Sequence, residues 1–210
     1  MENLTESKML SILDYCYDKA LNGIPMVSES TEELAKYYLD KYQSREKAVE
    51  ELVSNQLMKC TTSGFVTGLG GVLTMPVTIP ANISSVIYIQ LRMITSIAYI
   101  GEYDIKSDEV KTLAYVCLTG KGASDILKNC GIAVANKIGI NLVKKIPTKV
   151  LTVINQKVGF RLVTKFGEKG IINLGKAVPF LGGIVGGGFD YTTTKTISKV
   201  AINMFLKNKI

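Results

Sequence analysis

From Cys60 to Leu91 the chain carries no formally charged residue, and the run is bounded by Lys59 and Arg92. An apolar stretch of this length can span a membrane, lie on one, or fill the core of a soluble protein. Its punctuation limits the choice. Gly64, Gly68, Gly70 and Gly71 fall close together, and Pro76 and Pro80 follow. A straight spanning helix cannot contain Pro80, which lacks an amide hydrogen, clashes with the preceding turn and disfavours helical geometry at Ile79. The run therefore breaks there, and Pro80 opens a new helix that continues to Ile100 and closes at Gly101. At 1.5 Å per residue that helix is about 30 Å long, enough to cross a bilayer.

Its pattern points inward instead. Asn82, Ser85, Tyr88, Arg92, Thr95, Ser96 and Tyr99 recur at steps of three and four. They draw a polar seam along an apolar cylinder. Lipid gives such a seam no partner, and an arginine near mid-helix adds a few kcal/mol to the cost of insertion. The pattern predicts a central buried helix whose seam packs against polar groups on neighbouring helices. A chain of 210 residues can build such a core, since a domain of this size buries roughly 70% of its unfolded surface. Hydrophobic residues at 47% and charged residues at 20% suit a helical domain better than a polytopic one.

The flanking segments read as amphipathic helices with local start signals. Thr5 to Asn22 places Met9, Ile12, Leu13, Cys16, Ala20 and Leu21 on one face, and Gly23 with Pro25 stops it. Ser30 and Glu33 stand in capping-box register, Ser44 caps a helix with a buried stripe through Ala48, Leu52, Val53, Gln56 and Leu57, and Ser107 caps another that ends near Gly120. The segment 122–146 reads as helix with Gly131 and Gly139 inside it. Pro147 opens a further helix, and a glycine-dense stretch precedes a last one of about 20 residues. Nothing shows sustained two-residue alternation or a hairpin turn, so the fold class is all-α. Residues 1–55 read as an amphipathic helical preface and 56–210 as the main helical domain, packed as one unit.

The composition excludes much chemistry. Histidine is absent, which removes His-dependent triads and most zinc sites. Cys16, Cys60, Cys117 and Cys130 lack metal-ligand spacing and sit in apolar contexts, which predicts reduced, buried thiols. Gly170 to Ala177, GIINLGKA, has phosphate-loop spacing as far as Lys176, but Ala177 stands where a magnesium-binding hydroxyl belongs and no hydrophobic strand precedes it. No GxSxG motif occurs, and no catalytic residue, cofactor or metal is assigned. Acids in the first turn of the chain argue against a secretory signal and predict an intracellular location.

Charge is unevenly spread. Residues 1–60 carry 7 basic and 11 acidic side chains, 61–120 carry 3 and 4, and 121–210 carry 15 and 3, so the formal +7 conceals a C-terminal half at +12. Lys157, Arg161, Lys165 and Lys169 follow at four-residue steps, with Lys145 and Lys149 read on the same track. Such a stripe faces either solvent or an anionic partner. Anionic lipid is the expected partner, since no stacking aromatics or nucleic-acid motif accompanies the cations. Glycines form a further constellation: Gly64 with Gly68, then Gly182, Gly183, Gly186 and Gly187. Four-residue spacing permits close helix crossing, or alternatively a flexible element that enters lipid. A possible buried polar site comprises Asn82, Arg92, Lys176 and Asp190, with Asp190 as a candidate partner for Arg92.

The stretch TGLGG-x-LTMP-x-TIPANI-x-S-x-IYIQLRMI, with SDEVKTLAYVCLTG and the later KVGFRLVTKFGEKGIINLGKAVPFLGGIVGGGFD, resembles the bacterial EcsC family over about residues 55–206. The resemblance implies an α-helical, cytoplasmic or membrane-associated protein, with a membrane transporter as a potential partner, and supplies no reaction. Some members carry an acid in the proline-flanked loop where this chain has Thr78, which would leave Arg92 reliant on Asp190 or on backbone carbonyls. The expectation is a non-enzymatic protein at the inner face of the plasma membrane, docked on anionic lipid through the basic stripe. The alternatives are a lipid carrier enclosing an acyl chain with Arg92 or Lys176 near the head group, a pore-forming effector, and an enzyme working through Asp190 and Arg92.

Overall fold

Four helices of this chain start at short polar side chains that accept otherwise orphaned amide hydrogens. A computed structural model describes residues 4–62, 81–132, 139–166 and 182–206, with side chains from Ser84 in the second stretch and from Tyr191 in the last. Helix α1 (Glu6–Asn22) begins where the Thr5 hydroxyl accepts from the Lys8 amide. Helix α2 (Thr31–Lys41) has a complete capping box, Ser30 accepting from the Glu33 amide while the Glu33 carboxylate accepts from the Ser30 amide. The Ser44 hydroxyl caps α3 (Arg45–Thr61) by accepting from the Lys47 amide. Helix α4 (Ala81–Ile100) follows Pro80 as expected, and Ser107 caps α5 (Asp108–Leu118).

Beyond α5 a single 3₁₀ turn, Gly120–Gly122, leads into α6 (Ala123–Asn129), α7 (Ile140–Val143), α8 (Thr148–Phe166) and α9 (Gly182–Phe205). The segment expected as one helix over 122–146 is broken. Gly131 sits at φ 74°, a left-handed conformation that ends α6 in the manner of a C-terminal glycine cap, with the Ile132 amide donating back to the Leu127 carbonyl. The last helix starts earlier than expected, with Gly182, Gly183, Gly186 and Gly187 inside its first two turns. Among the described residues there are nine α-helices and no strand, an all-α fold.

Helix α4 is the axis of the domain. It packs against α1, α2, α3, α5 and α9, and every side chain from Ser84 to Ala98 is buried. Hydrophobic burial at roughly 25 cal/mol per Å² explains why its Ile, Leu and Met residues turn inward. Shielding by neighbouring helices therefore accounts for the greasy helix after Pro80. No helix among the described residues is long and apolar enough to cross a membrane.

The polar seam of α4 meets polar groups, as its spacing predicts. The Thr31 hydroxyl donates to the Ala20 carbonyl at 2.8 Å and lies 2.8 Å from the Thr95 hydroxyl. The Tyr88 and Ser28 hydroxyls are 2.5 Å apart. On the opposite side, the Gln90 amide donates to Thr194 of α9 at 2.9 Å. Buried hydroxyls and amides are tolerated in a core only when they find such partners. The seam thus registers α4 against the α1–α2 corner, and Gln90 on the other face registers it against α9. The Ser96 hydroxyl and the Gln56 amide nitrogen are exceptions, buried with no acceptor or donor among the described residues.

Candidate functional site

Two polar arrangements stand out from the apolar frame, one buried and one on the surface. The buried one centres on Arg92. Its side chain is 2% exposed, and Nη2 donates to both the Glu29 carboxylate at 2.6 Å and the Glu29 carbonyl at 2.9 Å. The loop between α1 and α2 delivers Glu29 one residue ahead of the Ser30 cap. Hydrogen bonding by its own backbone amide, and then by Arg92, holds the Glu29 carboxyl below the usual carboxylate range. Lys59, on the last turn of α3, lies near enough to feel both groups. Burial first, and then repulsion from Arg92, pulls its ammonium below the ordinary lysine range. Arg92 Nε finds no acceptor among the described residues.

Among the described residues the carboxylate that serves Arg92 is Glu29, from the N-terminal segment, and the expected partner Asp190 has its side chain outside them. Asn82 and Asp190 lie on α4 and α9 with side chains outside the described residues, and Lys176 lies outside them entirely, so of the four residues of the expected polar site only the Arg92 side chain is described. Arg92 instead ties the α1–α2 loop to the central helix. A guanidinium committed twice to one residue is occupied by a structural task. Glu29 gave no local signal of this role, being 63 positions away in sequence.

The surface arrangement lies on α7 and α8. Lys145, Lys149, Lys157 and Arg161 are exposed, and none makes an ion pair with the described residues. Lys165 departs from the expected stripe. It is half-buried, its ammonium donates to the Leu118 carbonyl at 3.5 Å, and it sits 5.0 Å from the Phe166 ring centroid. The reason is helical geometry. Each four-residue step advances about 40° around an α-helix, so Lys165 stands about 160° from Lys149 and has rotated toward the protein. Lys145 is also off the track, since it precedes Pro147 and lies outside α8. Lys169, Gly64 and Gly68 lie outside the described residues.

Sequence reasoning missed the apolar half of this surface. Leu142, Val153 and Phe160 are exposed, Phe160 to 63%, among the cations. By the same angular arithmetic Lys149, Phe160, Val153 and Lys157 share an arc of about 80°. A period of 3.6 would have revealed it, because Val153 and Phe160 fall away from the buried stripe of Leu151, Ile154, Val158 and Leu162.

Beside this ridge runs an open groove of about 760 Å³, walled by α8 and by residues of α6 and α1. Lys157, Arg161 and Lys165 line one wall, with Asp125 and Glu6 elsewhere along it. The Arg161 guanidinium occupies the space where a side chain at position 122 would stand, so Gly122 is a seat for it. Among the described residues no cluster of His, Cys, Asp and Glu could hold a metal ion. Cys16, Cys60 and Cys117 are buried free thiols as expected, whereas Cys130 is only half-buried. Burial pushes the Cys16 thiol up to about 12.

No curated protein and no solved structure matches the chain. A family model does, and its match takes in the N-terminal helices that supply Glu29 as well as the central motifs. Spanning residues 3–207, it shows that the chain belongs to the EcsC protein family.

Proposed function

We propose that this EcsC-family protein is a non-enzymatic, peripheral membrane protein that docks on anionic lipid through the outer face of α8 and the adjoining Lys145. The observation that carries the reading is the interleaving, on one helical face, of exposed cations that make no ion pair among the described residues with exposed apolar side chains. Cations alone suit any polyanion. Val153 and Phe160 between Lys149, Lys157 and Arg161 suit an interface that is charged at its surface and apolar just beneath it. Each cation held near an anionic leaflet contributes on the order of 1 kcal/mol, so this face gives salt-sensitive binding without a spanning helix. The reading places the protein at the inner face of the plasma membrane.

Flotation with vesicles of phosphatidylcholine, with and without phosphatidylglycerol, tests it. Binding is expected only with the anionic lipid and should fall as salt rises. Neutralising Lys149 and Lys157 to glutamine should weaken it by about thirtyfold, corresponding to about 2 kcal/mol. Phe160→Ser should remove a residual, salt-resistant part. Binding that ignores both lipid charge and salt would overturn the reading.

A further inference from the structure

The groove beside the ridge contains charges of both signs that do not neutralise one another. Lys157 and Arg161 stand on α8, Asp125 on α6 and Glu6 on α1, and among the described residues none of these four makes an ion pair. Lys165 closes the inner end of the cationic wall from its position against the Leu118 carbonyl. A simple phosphate would gain from the cations but would also face two carboxylates. A ligand with an anionic and a cationic end satisfies both sets, and discrimination against purely anionic ligands follows from the acids. Arg161 is already seated on Gly122, so less of its conformational freedom is lost on binding.

We propose that this groove binds a phosphate-bearing head group that also carries a primary ammonium, the chemistry of phosphoethanolamine. The phosphate lies against Arg161, Lys157 and Lys165, and the ammonium against Asp125 with Glu6. Phe160, at the groove and 63% exposed, flanks the apolar part of a lipid that bears the head group. The inference deepens the membrane-docking reading by assigning a second, head-group-specific contact next to the non-specific one.

The test uses the full chain and monomeric dihexanoyl phospholipids in calorimetric titration, away from any bilayer. The phosphatidylethanolamine form should bind at least about tenfold more tightly than the phosphatidylglycerol or phosphatidylcholine forms, the worth of one charge-assisted hydrogen bond. A quaternary ammonium cannot donate one, which is why the choline lipid is the control. Asp125→Asn should erase the preference for ethanolamine over glycerol. Arg161→Ala should weaken all phosphate ligands, and Gly122→Ala, which keeps every charge but unseats the guanidinium, should do so by about a further intermediate factor of three to five. Unchanged melting temperatures of these variants verify that the fold is intact. O-phosphoethanolamine binding as well as the lipid identifies a soluble source for the ligand, and binding of the lipid alone identifies a membrane source. Equal or tighter binding of the glycerol lipid, a preference that survives Asp125→Asn, or no binding of any short-chain lipid would each overturn the inference. Vesicle flotation on phosphatidylglycerol is independent of all three, so failure here leaves the membrane-docking reading to stand or fall separately.

Discussion

Replacing Glu29 with alanine strands a buried charge, and the structure predicts how much that costs relative to the reciprocal change. The Arg92 side chain is 2% exposed, whereas that of Glu29 is 65% exposed. Removing one partner of a buried ion pair costs about 3–5 kcal/mol because the other remains uncompensated. Water reaches this pair from the Glu29 side, and the Glu29 carbonyl still accepts from Nη2, so Glu29→Ala should cost about 2–3 kcal/mol. Nearby Lys59 adds like-charge repulsion once the carboxylate is gone. Arg92→Met is different. The freed carboxylate turns into solvent, an unpartnered Nε disappears from the core, and the main loss is one hydrogen bond to a carbonyl, about 1 kcal/mol. The double variant should resemble Arg92→Met alone, giving a coupling energy of about 2 kcal/mol. Urea unfolding followed by far-UV circular dichroism measures all three, since the chain has no tryptophan. With a slope of about 2 kcal/mol per molar urea, Glu29→Ala should lower the midpoint by about 1–1.5 M and Arg92→Met by about 0.5 M. If Arg92→Met proves as costly as Glu29→Ala, the asymmetry argument is wrong.

A carboxyl whose folded pKa is depressed stabilises the fold above its unfolded value and loses that contribution as pH falls through the folded one. Stability should therefore decline below about pH 4.5, and Glu29→Gln should flatten that decline relative to the parent chain in acid titrations of the melting temperature. At Gly101 an added Cβ would overlap the Phe205 carbonyl oxygen. Because backbone cannot move aside as a side chain can, Gly101→Ala should destabilise by about 2–3 kcal/mol in the urea experiment, and a neutral result would contradict the α4–α9 packing. In thiol modification of the native protein, half-buried Cys130 should react first, and Cys16 and Cys117 should wait for unfolding; simultaneous labelling of all four would show that the core opens readily.

Local signals in the sequence transferred to the structure almost unchanged. Ser30 with Glu33, Ser44 and Ser107 cap the helices they announce, because a cap is decided by residues three positions apart. Helix α4 was legible for a similar reason: Pro80 fixes its start, Gly101 its end, and the seam from Ser85 to Thr95 its buried setting. What could not be read depended on relations the sequence does not order. Glu29 reaches Arg92 only because the α1–α2 corner folds over α4, and nothing near either residue specifies that pairing. The cationic stripe looked straight because four-residue spacing was treated as one face. The accumulated rotation takes Lys165 inward while Lys149 stays out. Gly131 inside an apolar run resembled a helix interior and proved to be a terminator, a choice made by the backbone conformation available at that point. The groove between α6 and α8 was invisible for the further reason that Gly122 marks it only through the arginine that fills its missing side chain.

The packing of α3 against α9 has a bearing on synthesis. Every contact between these helices joins positions at least 121 residues apart, counted from Thr61 to Gly182. Entropy must therefore be lost over a large loop before that interface returns any stabilisation. On the ribosome the first three helices can gather around α4 early, but one flank of α4 and of α3 stays uncovered until α9 has been made. The nascent chain thus keeps apolar surface of α3 and α4 open to solvent for as long as α9 is missing.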